Sequence, residues 1–268
     1  MRPHRKGDAI SYRVEIGALL LALAVSVMVG HVRRRGRPGR RALLLPAALF
    51  LALAFGGAGL LSGCGSSPGV DVPHLLQSAQ PGSALAALAT LDVRGRAPKT
   101  GYKRAQFGVA WADVDHNGCD TRDDILRRDL AAQRFRSSTH GCVVVAGELA
   151  DPYSGKTITF TKAQAAQIQI DHVVALSDAW QTGAQQLASG TRLAFANDPL
   201  NLLAVDGDLN QEKGDADAAT WLPPRKAFRC AYVSRQIAVK QRYHLWVTAA
   251  ERGAMARVLK TCPGEALP

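Results

Sequence analysis

IQIDHVVAL (Ile168–Leu176) and NLLAVDGDLNQEK (Asn201–Lys213) are the two segments that decide the fold. Each opens with a short apolar run, which is typical of a buried β-strand. In the second segment, Asp206-Gly207 is a turn signal, and Asp208 or Leu209 is suited to open a short helix. The segments therefore predict a strand that ends on an Asp-His pair, and a second strand followed by a turn and a helix.

The polar residues of these segments have the chemistry of phosphodiester hydrolysis, which needs an activated water, a cation on the scissile phosphate and a stabilised leaving oxygen. His172 is a candidate general base, because the ordinary pKa of an imidazole is about 6.5. Asp171 and the amide oxygen of Asn210 are oxygen ligands of the kind that Mg²⁺ binds while it keeps several waters. These three residues are therefore the predicted base and metal ligands.

Three further polar residues are candidates for the same site. Asn201 is expected to accept a hydrogen bond from the imidazole, through its side-chain or backbone oxygen, and so to fix the tautomer of the base. Lys213, or Arg192 in the loop before the second strand, is expected to neutralise charge on the phosphate. Each residue alone also fits a turn, a cap or a solvated charge, so the prediction depends on their joint arrangement.

The order of Asp171-His172, Asn201 and Asn210 resembles the HNH, or ββα-metal, finger, with Asn in place of the last His. The segments DHVVALSDAW, ANDPLNLLAV and NQEKGD are similar to exported actinobacterial HNH-family proteins. Those proteins are similar in turn to the C-terminal nuclease domain of GmrSD-type restriction enzymes. The resemblance extends from about Tyr102 to Cys262 and includes DVDHNGCDTR and DPYSG. Ala175 stands where a Pro that rigidifies the turn is common.

The resemblance implies an α+β fold in which a ββα-metal finger is embedded in a small sheet with surrounding helices. It implies cleavage of DNA with Mg²⁺ or Mn²⁺, with His172 as base and Asp171 and Asn210 as metal ligands. Strong sequence specificity is not expected, because no recognition helix or zinc module is visible. Two alternatives remain open: a phosphodiesterase or phosphatase for small substrates, and a non-catalytic envelope lipoprotein that calcium and disulfides stabilise and that binds a partner.

The charge of the 268 residues is unevenly distributed. The net charge is +11, but residues 1–63 hold ten of the 33 Lys/Arg and two of the 22 Asp/Glu, so the remainder carries a net charge of +3. A strongly basic nucleic-acid-binding domain is therefore excluded, and contact with DNA must come from local patches. Tyr102–Gly108 is one basic and aromatic stretch that fits either a phosphate contact or an exposed loop.

Residues 1–63 have the features of a targeting segment, with two apolar runs around an Arg-rich stretch. Leu61-Ser62-Gly63-Cys64 resembles a bacterial lipobox, in which the Cys is lipidated and becomes the mature N-terminus. It predicts export and a lipid anchor on the outer face of the cell membrane, or secretion. Two transmembrane helices, or translation from Met28, are alternatives. Residues 64–83 are expected to be a lipidated, flexible tether, and residues 84–268 the nuclease domain.

Four cysteines remain after Cys64, and an even number in an exported chain predicts disulfide bonds. We expect Cys119–Cys142 and Cys230–Cys262, because the members of each pair are near in sequence and lie in one predicted unit. Zinc ligation is disfavoured, because the close CxxC spacing of zinc sites is absent.

The segment DVDHNGCDTRDD has the spacing of a calcium loop. Asp113, Asp115 and Asn117 are at positions one, three and five, Gly is at position six, and Asp124 is at position twelve, where Glu is usual. An Asx-rich turn that caps a helix over Asp124–Phe135 is the alternative. A third interpretation places Asp120, Arg122 or Asp123 near the catalytic finger.

The remaining elements follow from local signals. A hairpin is predicted from strands over Cys142–Leu149 and Thr157–Phe160, and Ile168–Ile170 is expected to add to its sheet. Helices are expected from Ala84, over residues 176–186, and over residues 225–243. The capping box Thr248-Ala249-Ala250-Glu251 predicts a last helix that ends near residue 260.

Overall fold

The computed structural model describes residues 70–268. The predicted targeting segment, the predicted lipidation site at Cys64 and the first part of the expected tether lie outside these residues. Within the described part, no helix has the length and apolarity needed to cross a membrane. Helix α1 (Val72–Gln77) forms inside the expected tether, with Asp71 as its N-cap and Leu76 buried in a core cluster. Ordered structure therefore begins before residue 84.

The described residues contain five strands and several short helices. The strands are β1 (Leu130–Phe135), β2 (Val144–Ala150), β3 (Thr157–Thr161), β4 (Ile168–His172) and β5 (Leu202–Asp206). The other α-helices are α2 (Ala84–Thr90), α3 (Thr121–Asp129), α4 (Leu176–Gln181), α5 (Ser189–Asn197), α6 (Gly207–Lys213), α7 (Arg229–Arg242) and α8 (Ala249–Leu259). Short 3₁₀ helices lie at Arg104–Phe107, Lys162–Gln167, Ala184–Gln186 and Lys226–Phe228. The predicted α+β class is confirmed.

The strands form two separate antiparallel sheets. β1, β2 and β3 are adjacent in that order, whereas β4 pairs with β5 alone. The expectation that β4 adds to the hairpin sheet is therefore wrong. The 3₁₀ helix at Lys162–Gln167 interrupts the chain between β3 and β4, and the β4 backbone bonds to β5 from Ile168–Asp206 to His172–Leu202.

The segment after the predicted calcium loop changes from helix to strand earlier than expected. Helix α3 begins at Thr121, with the Asp120 carboxylate accepting from the N–H of Asp123, and it ends at Asp129. Residues 130–135 are strand β1, not the end of a helix. Their LAAQRF sequence has helical propensity, but pairing with β2 decides the conformation, since tertiary contacts override local preference.

Strands β4 and β5 and helix α6 form the predicted ββα finger. Helix α6 follows β5 directly, because the Asp206 carboxylate accepts from the N–H groups of Asp208 and Leu209 and so caps the first turn. Gly207 is required at this turn, because a Cβ there would lie 2.2 Å from the carbonyl oxygen of Ala166. Helices α4 and α5 are inserted between the two strands.

The finger is attached to the rest of the domain through buried apolar side chains. Ile168, Ile170 and Leu202 share one core cluster with residues of α3, β2 and β3. Truncating Ile168, which has no exposed surface, to Ala is expected to cost about 2–5 kcal/mol of the free energy of unfolding. The position of the finger is therefore set by packing against the hairpin sheet.

The predicted covalent and capping features of the chain are confirmed. The structure has the Cys119–Cys142 and Cys230–Cys262 disulfides. Both hydrogen bonds of the Thr248–Glu251 capping box open α8. Helix α7 begins at Arg229, after a 3₁₀ turn, and not at residue 225.

Candidate active site

A cleft of about 370 Å³ opens where β4 ends, between α6 and the segment around Tyr102. Asp171, His172 and Asn210 line it together. The other polar residues that line it are Lys99, Tyr102, Arg104, Gln169, Ser177, Gln211 and Asp215. The fold therefore brings the predicted base and both predicted ligands to one cleft.

The imidazole of His172 is buried and held in one orientation. Its Nε2 lies 2.9 Å from the carbonyl oxygen of Ala196, so Nε2 is the protonated nitrogen, because a carbonyl can only accept. Nδ1 has no hydrogen-bond partner among the described residues. Burial lowers the pKa of His172 from 6.5 to about 3, the bond to Ala196 opposes the shift, and the charge of Arg104 adds to it. The ring is therefore neutral at physiological pH.

Asn201 positions the backbone that follows β4. Its Oδ1 accepts a 2.9 Å hydrogen bond from the N–H of Val174, and its backbone carbonyl accepts one of 2.8 Å from Val173. The expected hydrogen bond to the imidazole is made by Ala196 instead. Because Asn201 has no exposed surface, its contribution to the site is to fix the turn that holds His172.

The carboxylate of Asp171 is buried between an ammonium and a phenol. Nζ of Lys213 lies 2.8 Å from Oδ1, and the hydroxyl of Tyr153 donates to Oδ2. Burial raises the pKa of Asp171, while the charge of Lys213 and the two hydrogen bonds oppose the rise. Burial and the charge of Asp171 raise the pKa of Tyr153 well above its ordinary value, so the phenol remains a donor.

Lys213 serves this carboxylate and not a phosphate. Its side chain has no exposed surface, and Nζ also donates to the backbone carbonyl of His172 at 2.9 Å. The expectation that Lys213 neutralises the phosphate directly is wrong, because burial and two acceptors hold the ammonium behind β4. Lys213 instead compensates a buried charge that would otherwise be unpaired.

Arg192 also lies away from the cleft. It is in α5, not in a loop, and its guanidinium donates to the carbonyls of Gln106 and Leu187 and lies over the ring of Trp180. The structure does not support the expected phosphate contact of Arg192, because its guanidinium does not line the cleft.

Of the two cations that line the cleft, Lys99 is paired with Asp215, and the other is Arg104. It is exposed on the 3₁₀ helix before the first sheet, and its charge contributes to the lowered pKa of His172. The basic and aromatic stretch at residues 102–108 was the sequence signal for it. That signal did not choose between a phosphate contact and an exposed loop, because the distance to His172 is set by the tertiary fold.

The oxygen atoms of Asp171 and Asn210 suit the coordination of a hard divalent cation. The side-chain nitrogen of Asn210 donates to Oε1 of Gln169 at 2.8 Å, which leaves the Asn210 Oδ1 for a ligand. Each carboxylate oxygen of Asp171 accepts one hydrogen bond and keeps a second lone pair. A carboxylate and an amide oxygen, with the remaining positions open to water, suit Mg²⁺ or Mn²⁺.

The predicted calcium loop forms an Asx-rich turn in this structure. The Asp113 carboxylate accepts from the N–H groups of Asn117 and Gly118. Within the described residues, the one cluster of three His, Cys, Asp or Glu donors is Cys230, Cys262 and Glu265, whose sulfurs are joined in a disulfide. Calcium binding by Asp113, Asp115, Asn117 and Asp124 stays a prediction.

Comparison with known proteins identifies the family of most of the described residues. The family model for the C-terminal domain of GmrSD restriction endonucleases matches residues 120–258. The chain belongs to this family. A similar protein, described as an uncharacterized secreted protein of Arthroderma benhamiae, is 38% identical over 195 residues, which cover 72% of this chain and 90% of that protein. No solved structure matches the chain.

The GmrSD C-terminal domain match includes the whole finger. Asp171, His172 and Asn210 lie inside the matched region, as do both buried partners of Asp171. Arg104 precedes it. The family match therefore covers the candidate base and the candidate ligands, whereas Arg104 comes from the part of the chain before the match.

Proposed function

We propose that this protein is a metal-dependent endonuclease that hydrolyses phosphodiester bonds in DNA. The observation that carries the proposal is the cleft in which Asp171, His172 and Asn210 meet, with a neutral imidazole whose Nδ1 can accept a proton. Membership of the GmrSD C-terminal domain family supports a nuclease-related role.

His172 acts as the general base in this proposal. Nδ1 takes a proton from the attacking water, and the carbonyl of Ala196 holds the ring through Nε2–H. Burial keeps the resting ring neutral. A phosphate that enters the cleft brings negative charge near the imidazole, which raises its pKa and makes it a stronger base when substrate is bound.

Asp171 and Asn210 would hold the divalent cation. Bound Mg²⁺ or Mn²⁺ supplies a Lewis acid for the phosphoryl group and stabilises charge on the leaving oxygen. Lys213 and Tyr153 orient the carboxylate of Asp171 from behind, as outer partners of metal ligands commonly do. The guanidinium of Arg104 binds a phosphate at the rim of the cleft.

Plasmid nicking tests the proposal. The disulfide-intact protein is incubated with supercoiled DNA and Mg²⁺, Mn²⁺, Ca²⁺ or EDTA, beside the Asn210→Ala variant. Gln77→Ala, which also removes a side-chain amide but at an exposed position of α1 outside the cleft, is the control. We expect nicking with Mg²⁺ or Mn²⁺ and none in EDTA, with a loss of at least about tenfold in Asn210→Ala alone. Failure of the folded protein to cut any DNA with any metal contradicts the proposal.

We also propose that the protein is exported and anchored to the membrane by lipid at Cys64. Two disulfide bonds and the secreted relative support export, because disulfides persist in oxidising compartments. Detergent phase partition of cell extracts tests the anchor. The mature wild-type protein is expected in the detergent phase, and the Cys64→Ser variant is expected to remain as the uncleaved precursor. Mature wild-type protein in the aqueous phase contradicts lipid attachment.

A further inference from the structure

A second cavity adjoins the cleft on the other side of His172. It has a volume of about 250 Å³ and shares Arg104, His172 and Leu176 with the cleft. This is below the roughly 300–1,000 Å³ of sites for drug-sized ligands, so it suits one flat ring system. The shared residues place that ring beside the atoms that are proposed to react.

The walls of this cavity are mostly apolar and aromatic. Phe107, Trp111 and Leu176 line it, and the indole of Trp111 lies nearly parallel to the imidazole of His172, with 6.0 Å between ring centroids and 16° between planes. Trp111 is half-buried, although its φ of +57° is in the left-handed region that non-glycine residues rarely adopt. The backbone is thus held in an unfavourable conformation where the indole contacts the cavity.

One residue of the cavity lining, Asn197, has a buried polar atom without a partner. Asn197 is 1% exposed, and its side-chain nitrogen donates to the carbonyl of Leu193 at 2.9 Å. That bond identifies the other atom as the oxygen, because a carbonyl needs a donor. Oδ1 of Asn197 has no hydrogen-bond partner among the described residues. Buried polar atoms are almost always paired, so this acceptor indicates a ligand that brings a donor.

We propose that this cavity receives one unstacked base of the DNA strand, next to the phosphate that is cleaved. Trp111 supplies the stacking surface, and Oδ1 of Asn197 accepts from an N–H of the base. Every DNA base has such a donor on its pairing edge, so the pocket tolerates all four bases. Arg104 lines both cavities and contacts the phosphate that joins the seated nucleotide to the next one.

The inference depends on the proposed function and makes it more specific. A base in a paired, stacked duplex cannot enter the cavity without being extruded, which costs unstacking energy. Single-stranded DNA is therefore the preferred substrate. Stacking on an aromatic side chain is sequence-tolerant, which agrees with the expected lack of strong specificity.

Changing the DNA tests the pocket without changing the protein. Single-stranded oligonucleotides, each with one abasic residue at a different position, are cleaved by the full-length protein with Mg²⁺, and the rate at every phosphate is compared with the unmodified strand. We expect cleavage at the one phosphate beside the abasic residue to fall about tenfold, in line with the effect of losing one stacked base. Equal rates at every phosphate overturn the proposal and leave the cavity as a site for water.

Binding without cleavage separates this proposal from the nuclease proposal. In EDTA, the full-length protein is titrated with a single-stranded oligonucleotide that carries 2-aminopurine, whose fluorescence is quenched by stacking. Quenching is expected with the wild-type protein and with Trp111→Phe, but not with Trp111→Ala of equal thermal stability. Base-dependent quenching without metal-dependent cleavage of either plasmid or single-stranded DNA supports the pocket and rejects the nuclease. Cleavage without base-dependent quenching rejects the pocket alone.

Discussion

Two buried lysines, Lys213 in the finger and Lys240 in α7, have the same exposure and different surroundings. Neither side chain has exposed surface. Lys240 lies between the carboxylates of Asp178 and Glu251, at 3.2 and 2.9 Å, and also donates to the carbonyl of Trp246. Lys213 has one carboxylate partner, Asp171, and that carboxylate lines the cleft.

The difference shows how one kind of ion pair serves two purposes. The Lys240 network joins α4, α7 and α8, and it compensates carboxylates that no substrate can reach. The Lys213 pair keeps a carboxylate charged and oriented where a cation and a phosphate are proposed to meet. A buried ion pair adds little net stability, because the cost of desolvating both charges offsets most of their attraction. Removing one partner is costly in both places, because it leaves the other charge buried and unpaired.

Lys213→Met is expected to have the largest combined effect. It leaves the Asp171 carboxylate buried beside Tyr153 without its cation, which is expected to lower the free energy of unfolding by about 3–5 kcal/mol. Nicking by the folded fraction should be lost as well, because the carboxylate becomes protonated or turns away. Urea unfolding and nicking at low temperature measure the two effects; full activity in a destabilised protein would contradict the assignment.

Lys240→Met should separate stability from activity. We expect a similar loss of about 3–5 kcal/mol of the free energy of unfolding, because Asp178 and Glu251 lose their common cation. Nicking per folded molecule should stay at the wild-type rate, since this network is outside the cleft. If the nicking rate falls as far as in Lys213→Met, the Lys240 network also supports activity, and the two lysines do not have separate roles.

Acid should weaken the finger through His172. Its pKa in the folded protein is about 3, below the ordinary 6.5, so the unfolded chain binds the extra proton first. Above pH 6.5 the imidazole is neutral in both the folded and the unfolded chain, and protonation costs no stability. Between pH 6.5 and pH 3 the free energy of unfolding falls by about 1.4 kcal/mol per pH unit, because only the unfolded chain binds the proton.

The matched comparison is with His172→Gln, in EDTA. Urea unfolding of both proteins at pH 6.5 and pH 5 should show the wild type losing about 2 kcal/mol more than the variant, because the other titrating groups are common to both. If the free energies of unfolding of the two proteins differ by the same amount at both pH values, the imidazole is exposed to solvent and easily protonated in the folded protein.

Arg104→Ala is expected to have the smallest effect on the fold. Because Arg104 is exposed, the free energy of unfolding should change by less than about 0.5 kcal/mol. Nicking should fall about tenfold, from loss of one charge-assisted phosphate contact. Arg257→Ala, an equal change of charge at an exposed position of α8, is the control and should nick at the wild-type rate.

The sequence predicted the parts of the finger that depend on local order. The Asp-His pair at the end of β4, the strand from residue 202 and the capped helix α6 follow from short apolar runs and a turn signal. The Thr248 capping box is likewise a local feature. These signals are reliable because each depends on residues that are close in the chain.

The errors concern features that only distant contacts decide. Lys213, at the end of α6, is paired with Asp171 of β4, which is 42 residues away in the chain. The guanidinium of Arg192 donates to the carbonyl of Gln106, away from the cleft. The side chain of Asn201 accepts from the N–H of Val174 and does not contact the imidazole of His172. The meeting of Asp171, His172 and Asn210 at one cleft could therefore be predicted from the sequence, whereas the assignment of the other polar side chains to the cleft or to its support could not.

Chemical rescue of His172→Ala tests the central claim most directly. Nicking of plasmid DNA with Mg²⁺ is measured for the wild type, for His172→Ala and for His74→Ala, an exposed histidine of α1 as control, each with and without added imidazole. We expect His172→Ala to lose about 10²–10⁴-fold in rate and to recover part of it with imidazole, while His74→Ala is unaffected. A wild-type rate in His172→Ala, at equal purity and stability, would show that His172 is not the base.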